Sequence, residues 1–220
     1  MSTDAAAVVR RWAGDSERWL DAFLKTAAHD SSIISIVAIG SAVRERGHRR
    51  SDFDLLVVYQ GQRPRLEAPV EVDVRLVGVG LMDEQIAQGH EVLCWALKFG
   101  MVLFDRAGLW RNLQQSWGHR LPLPSAARAG ERGRQALARA RDMLEAEDIS
   151  AADDLLLAAL TQFVRERLIR NGVFPASRPE LPDQLREISK DDPLAGLLED
   201  AMRDESSPRD LLNELMTLRF

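Results

Sequence analysis

The apolar positions of this chain change their period several times before residue 126, and they keep a helical period after it. Between 5 and 28, Trp12, Trp19, Leu20, Phe23, Leu24 and Ala27 recur at helical spacing, which predicts an amphipathic helix interrupted near Gly14. The pattern then shortens. IISIVAI (33–39) is apolar and β-branched, lies between His-Asp-Ser-Ser and Gly-Ser, and predicts a buried strand; FDLLVVY (53–59) predicts a second. After the turn-forming stretch GQRPRLEAP, VEVDVRLV (70–77) alternates, with Val70, Val72 and Val74 on one face and Glu71, Asp73 and Arg75 on the other. Residues 82–99 return to helical spacing, MVLFD (101–105) predicts a fourth strand, and a short helix follows around 108–117. GHRLPLPS, with Pro122 and Pro124, breaks the pattern and predicts a linker. Beyond Ala126 the expected elements are helices at 126–147, 151–171, 180–189, 193–204 and 208–219, the last capped by Ser207 with Pro208 at its first position. The expected fold is α+β, with a small mixed β-sheet domain flanked by helices at 1–120 and an all-α helical bundle at 121–220.

Composition narrows the classes of function. With 220 residues, 45% of them hydrophobic, the chain can bury a real core. A net charge of −5, with basic residues interspersed among acidic ones, argues against binding nucleic acid through bulk charge, and the helical half has no basic stripe interleaved with aromatics. The single cysteine, Cys94, sits in the apolar run VLCWAL; it excludes an internal disulfide and a thiolate metal cluster, fits a reducing compartment and reads as a small buried hydrophobe. The N-terminus has no apolar segment of signal-peptide length and there is no run of about 18 apolar residues, so the expectation is a cytoplasmic protein with no membrane partner.

The stretch GSAVRERGHRRSDFDLLVV (40–58) holds the candidate chemistry. Positions two apart on a strand face the same way, so Asp52 and Asp54 project side by side from the start of the second strand. Two anions held together repel, and a divalent cation bound by hard oxygen ligands makes the arrangement favourable. Taken alone, Ser-Asp-Phe-Asp would serve equally as a turn into a strand. Asp73 joins the cluster if the third strand neighbours the second; Glu71 on the same face is the alternative third ligand, and a solvated charge ladder with Arg75 is another reading. Carboxylates without histidine or cysteine suit Mg²⁺ rather than zinc, and Mg²⁺ takes its remaining ligands from water and substrate phosphates. Gly40-Ser41, ending one strand and opening into AVRER, predicts a phosphate seat at a helix N-terminus, with Gly40 allowing close backbone approach. Arg44, Arg46, His48, Arg49 and Arg50 either add positive charge there or form a solvated loop.

Gly40-Ser41, ten residues, Asp52-x-Asp54 and a later acid at Asp73 resemble the signature of the DNA polymerase β-like nucleotidyltransferase superfamily. The string is especially similar to the branch of minimal nucleotidyltransferases of toxin–antitoxin systems and aminoglycoside nucleotidyltransferases. The resemblance covers about residues 30 to 105. It implies that Asp52 and Asp54 hold two Mg²⁺ ions, that Asp73 completes the second metal site and assists deprotonation of the acceptor, and that Gly40 and Ser41 bind the β- and γ-phosphates of ATP or another nucleoside triphosphate. The implied reaction moves AMP to a hydroxyl of an aminoglycoside-like small molecule or a protein, with a long nucleic acid disfavoured and a homo-oligomer compatible. The alternative is a nucleotide-binding regulatory or antitoxin-like protein with little turnover.

Outside that stretch, His29, His90 and His119 read as surface or capping residues, and Trp95, Trp110 and Trp117 as core. Glu145, Glu147, Asp148, Asp153 and Asp154 crowd a helix–helix junction, where Asp153 and Asp154 are expected to serve as acidic caps. Some antibiotic-modifying relatives take a general base from a helical-domain carboxylate, a role the resemblance leaves open for these acids.

Overall fold

The structure, a computed structural model, describes residues 17–44 and 53–218. The chain divides into two compact units, Met1–Pro124 and Ser125–Phe220.

The first unit begins with α1 (Glu17–His29) and continues through β1 (Ile33–Ile39), a 3-10 turn (Ser41–Arg44), β2 (Phe53–Tyr59), β3 (Val72–Gly78), α2 (Met82–Ala87), α3 (Glu91–Phe99), β4 (Met101–Asp105) and α4 (Leu109–Trp117). The strands form one sheet in the order β3-β2-β1-β4. β1 pairs antiparallel with β2 and with β4, and β2 pairs parallel with β3. β1 and β2 are central, which explains their near-continuous apolar sequences: β1 is buried along its whole length.

One face of the sheet packs on α1. Leu20, Phe23 and Ala27 of the helix meet Ile36, Ala38, Leu55, Val57, Val72 and Leu103 of the strands. The alternate strand positions, Val37, Leu56 and Val58, are also fully buried and point the other way, toward the side where α3 and α4 pack on β1. The sheet is therefore sandwiched between helices and held rigidly at its centre. Arg106, just after β4, donates to the carbonyls of Ala27, Ala28, Asp30 and Ile33, which ties the C-terminus of α1 to the sheet.

Three expectations for this unit change. Because β3 runs parallel to β2, GQRPRLEAP is a crossover, not a tight turn, and a parallel pair needs such a long connection. It runs on the α1 side, where Leu66 packs against the core and the Trp19 indole donates to the Glu67 carbonyl at 2.8 Å. Val70 precedes the strand and is 93% exposed, so the apolar face of β3 starts at Val72. The helical stretch 82–99 is two helices: Gly89 takes φ +71°, and the His90 Nδ1 then accepts from the Leu93 N–H to cap α3. The portion of the N-terminal helix before Glu17, with Trp12, lies outside the described residues.

The second unit is all helical among the described residues: α5 (Ala126–Glu145), α6 (Ile149–Arg170), α7 (Leu181–Ile188), α8 (Pro193–Arg203) and α9 (Pro208–Thr217). α6 is its axis. Leu156, Leu160, Phe163, Val164 and Leu168 recur at helical spacing along one face and are buried in the core of this unit. Four of these five helix starts are capped by side chains: Ser125, Asp148, Asp192 and Ser207 each accept from a backbone N–H of the first turn. The acid that caps α6 is thus Asp148, not Asp153 or Asp154, which lie further along the helix.

Candidate active site

The sheet delivers two of the expected carboxylates to the same place. In the parallel ladder Asp54 of β2 is paired with Asp73 of β3, one step after Phe53 with Val72 and two before Leu56 with Arg75. Phe53 and Val72 belong to the α1-side core, so the alternation turns Asp54, Asp73 and Arg75 to the opposite face. The apolar neighbours thereby fix which way the acids point. Asp54 is part-buried, with 26% of its side chain exposed, whereas Asp73 on the edge strand keeps 50%.

Arg75 lies two residues beyond Asp73 on the same face, and its guanidinium reaches back along the strand. Its Nη2 is 3.0 Å from Asp73 Oδ2 and 3.9 Å from Asp54 Oδ1. The charge ladder and the carboxylate pair, alternatives on sequence grounds, thus coexist. Glu71 precedes the strand, where its carbonyl oxygen accepts from the Phe53 N–H, and it lies outside the ladder that pairs Asp54 with Asp73.

Gly40 closes the site from β1. Ile39 pairs with Asp54, so the chain leaves β1 directly beside that carboxylate. Gly40 takes φ +80°, and a Cβ built on it would fall 2.3 Å from Asp54 Oδ2. Glycine is required twice, for the left-handed backbone and for the space the carboxylate fills. Ser41 opens the 3-10 turn Ser41–Arg44, a tighter element than the helix N-terminus expected there. At the end of this turn the Arg44 guanidinium carbon stands 4.8 Å from the centre of the Phe99 ring, and Lys98 Nζ is 5.6 Å from the same centre. Asp52 and the connector residues Arg46, His48, Arg49 and Arg50 lie outside the described residues. Among the described residues no three acids, histidines or cysteines gather closely enough to hold a metal ion together.

The donor set that is described suits a hard cation. It consists of carboxylate oxygens on rigid, laddered positions, partly open to solvent, with a cationic group already drawn to both. Sequence reasoning placed Arg75 in a charge ladder with Asp73 but missed its approach to Asp54. It also missed the contact of Gly40 with Asp54, which depends on strand pairing.

In the helical unit, Asp153 is pushed above the ordinary carboxylate range by burial, then by the nearby Asp204 and Asp154. Glu166 is buried, with a carboxylate oxygen 2.6 Å from Arg170 Nη2. Cys94 and Trp110 are fully buried in the first unit, Trp95 nearly so, and Trp117 donates to Asp83 instead of joining the core.

The mixed four-stranded sheet thus presents in-register acids beside a Gly-Ser turn. Residues 20–98 match the model of the nucleotidyltransferase domain. That range runs from α1 to the end of α3 and contains Gly40, Ser41, Asp52, Asp54 and Asp73. Over that range the chain is similar to nucleotidyltransferase domains. Among solved structures, a nucleotidyltransferase-like protein from Exiguobacterium sibiricum 255-15 aligns at 15% identity over 91% of this chain and 71% of its own, with a TM-score of 0.39. No curated protein matches the chain. No described helix is long and apolar enough to cross a membrane.

Proposed function

We propose that the protein is a metal-dependent nucleotidyltransferase that moves AMP from ATP to a hydroxyl of a small molecule of the aminoglycoside kind or of a protein. The observation that carries this reading is the in-register pair Asp54 and Asp73 beside Gly40-Ser41. Asp52 and Asp54 are the expected ligands of two Mg²⁺ ions, with Asp73 completing the second site. When bound, the ions neutralise the polyphosphate and lower the pKa of the acceptor hydroxyl.

The protein's own groups then have defined tasks. The turn at Gly40-Ser41 offers backbone N–H groups and a hydroxyl to the β- and γ-phosphates. Asp54 and Asp73, fixed by the ladder, keep that end of the sheet negative until cations arrive. Asp73, the more exposed of the pair, assists removal of the acceptor proton. The acceptor oxygen bonds to the α-phosphorus, the bond from that phosphorus to the bridging oxygen breaks, and pyrophosphate leaves in line. Positioning and charge neutralisation supply the catalysis, with no covalent enzyme intermediate.

The test has two arms. Isothermal titration should show that Mg²⁺ strengthens ATP binding and that Asp54→Ala with Asp73→Ala removes that gain; an unchanged MgATP affinity in the double variant refutes the site. Incubation with labelled nucleoside triphosphates and panels of aminoglycosides and proteins, read by mass spectrometry, should show a gain of one nucleoside monophosphate on an acceptor. Metal-dependent ATP binding without any such product would identify a nucleotide-binding regulator instead.

A further inference from the structure

We infer that Arg75 is a resident counter-cation of the carboxylate pair, so that a divalent ion enters the site by displacing its guanidinium. The inference rests on the reading of Asp54 and Asp73 as metal ligands. The guanidinium lies 3.0 Å from one carboxylate and 3.9 Å from the other, so one cationic group offsets part of the charge of both acids. Its positive charge reduces the repulsion between two carboxylates paired across a parallel ladder.

The placement also makes the group exchangeable. Arg75 stands on the edge strand with 48% of its side chain exposed, and an ion pair that open to water contributes little to stability. A deeply buried arginine would be a permanent structural partner; one half in water can swing out at little cost. The carboxylates are short side chains on laddered backbone, with Gly40 packed against Asp54, so they have less room to move than the long arginine. The mobile member of the triad is the arginine. Metal affinity is therefore lowered by the need to release it, which disfavours a site loaded with metal before nucleotide arrives to add phosphate ligands.

The experiment titrates Mn²⁺ alone, without nucleotide, into the full-length wild-type protein, Arg75→Gln and Arg75→Lys, by calorimetry and by the loss of free Mn²⁺ signal in electron paramagnetic resonance. Arg75→Gln should bind Mn²⁺ about two- to fivefold more tightly than wild type, with Arg75→Lys between them. Thermal unfolding adds a readout that a purely structural role would not move: Mn²⁺ should raise the Tm of Arg75→Gln by more than it raises that of wild type. Equal or weaker Mn²⁺ binding by Arg75→Gln, or an equal Mn²⁺-induced Tm shift in both proteins, overturns the inference. Failure of the underlying site shows separately, as Mn²⁺ binding that Asp54→Asn leaves unchanged in both the wild-type and Arg75→Gln backgrounds.

Discussion

Replacing Gly40 by alanine separates two costs that normally arrive together, because a second glycine supplies the control. Gly40 and Gly61 have nearly the same left-handed backbone, φ +80° and +72°, but only Gly40 has neighbours where a Cβ would sit. At either position alanine incurs about 1–2 kcal/mol for the left-handed conformation. For a unit of this size that corresponds to a fall in Tm of several degrees. At Gly61 nothing lies within 4 Å, so the cost ends there. At Gly40 the new methyl would be 2.3 Å from Asp54 Oδ2, and ordinary contact begins at 3.4 Å, so the carboxylate must retreat by about 1 Å. A misplacement of about 1 Å in a positioned group costs on the order of 10²-fold in rate. Gly40→Ala should therefore lose stability slightly beyond Gly61→Ala and lose most of its Mg²⁺-dependent ATP affinity, while Gly61→Ala keeps that affinity. Paired thermal melts and MgATP titrations measure both quantities. Wild-type MgATP affinity in Gly40→Ala, or an equal loss in Gly61→Ala, would refute the claim that this glycine makes room for the carboxylate.

Two further outcomes concern the packing. Burial pushes the Cys94 thiol up to about 11 from an ordinary 9.0, so it should resist a disulfide reagent at pH 8 until the protein unfolds. With the folded value above the unfolded one, the contribution of this group to stability is intact below pH 9 and declines as the pH rises from 9 toward 11; a Cys94→Ala variant should show less of this alkaline decline in Tm. In α5, Gly133→Ala gains about 1 kcal/mol of helix propensity but places a methyl 2.7 Å from the buried Phe163 ring. Overpacking of that kind costs about 1–3 kcal/mol, so the net change should be a lower Tm, and a higher one would contradict the close approach of α5 to α6.

Much of the fold was legible because the apolar period is a local property. β1, β2 and β4 occupy the residues that their short apolar runs predict, and Ser207-Pro208 starts α9 as its cap chemistry requires. The misses are places where a single residue overrules the period. Gly89 and His90 divide a stretch whose hydrophobic pattern runs on uninterrupted, and Val70 continues the alternation of β3 without belonging to its ladder. For the site, strand periodicity shows which face Asp54 and Asp73 occupy, yet their adjacency depends on β3 choosing β2 as a parallel neighbour. That choice requires a crossover, and nothing in GQRPRLEAP distinguishes a crossover from a hairpin loop. The contacts of Arg75 with both acids and of Gly40 with Asp54 inherit the same dependence on a non-local pairing.

The alternation of β3 also works as a lock. Edge strands are the ones freest to slip, and a slip of one residue along β2 would bring Val72 or Val74 beside Asp54 and turn Asp73 toward the core under α1. Such a slip would expose Val72, Val74 and Leu76, at roughly 1–2 kcal/mol for each side chain according to how much of it is buried, and would force a carboxylate into an apolar layer. The spacing between the two acids is thus defended by residues that never touch a substrate, and a polar substitution on the hidden side of β3 would loosen the chemistry on its open side.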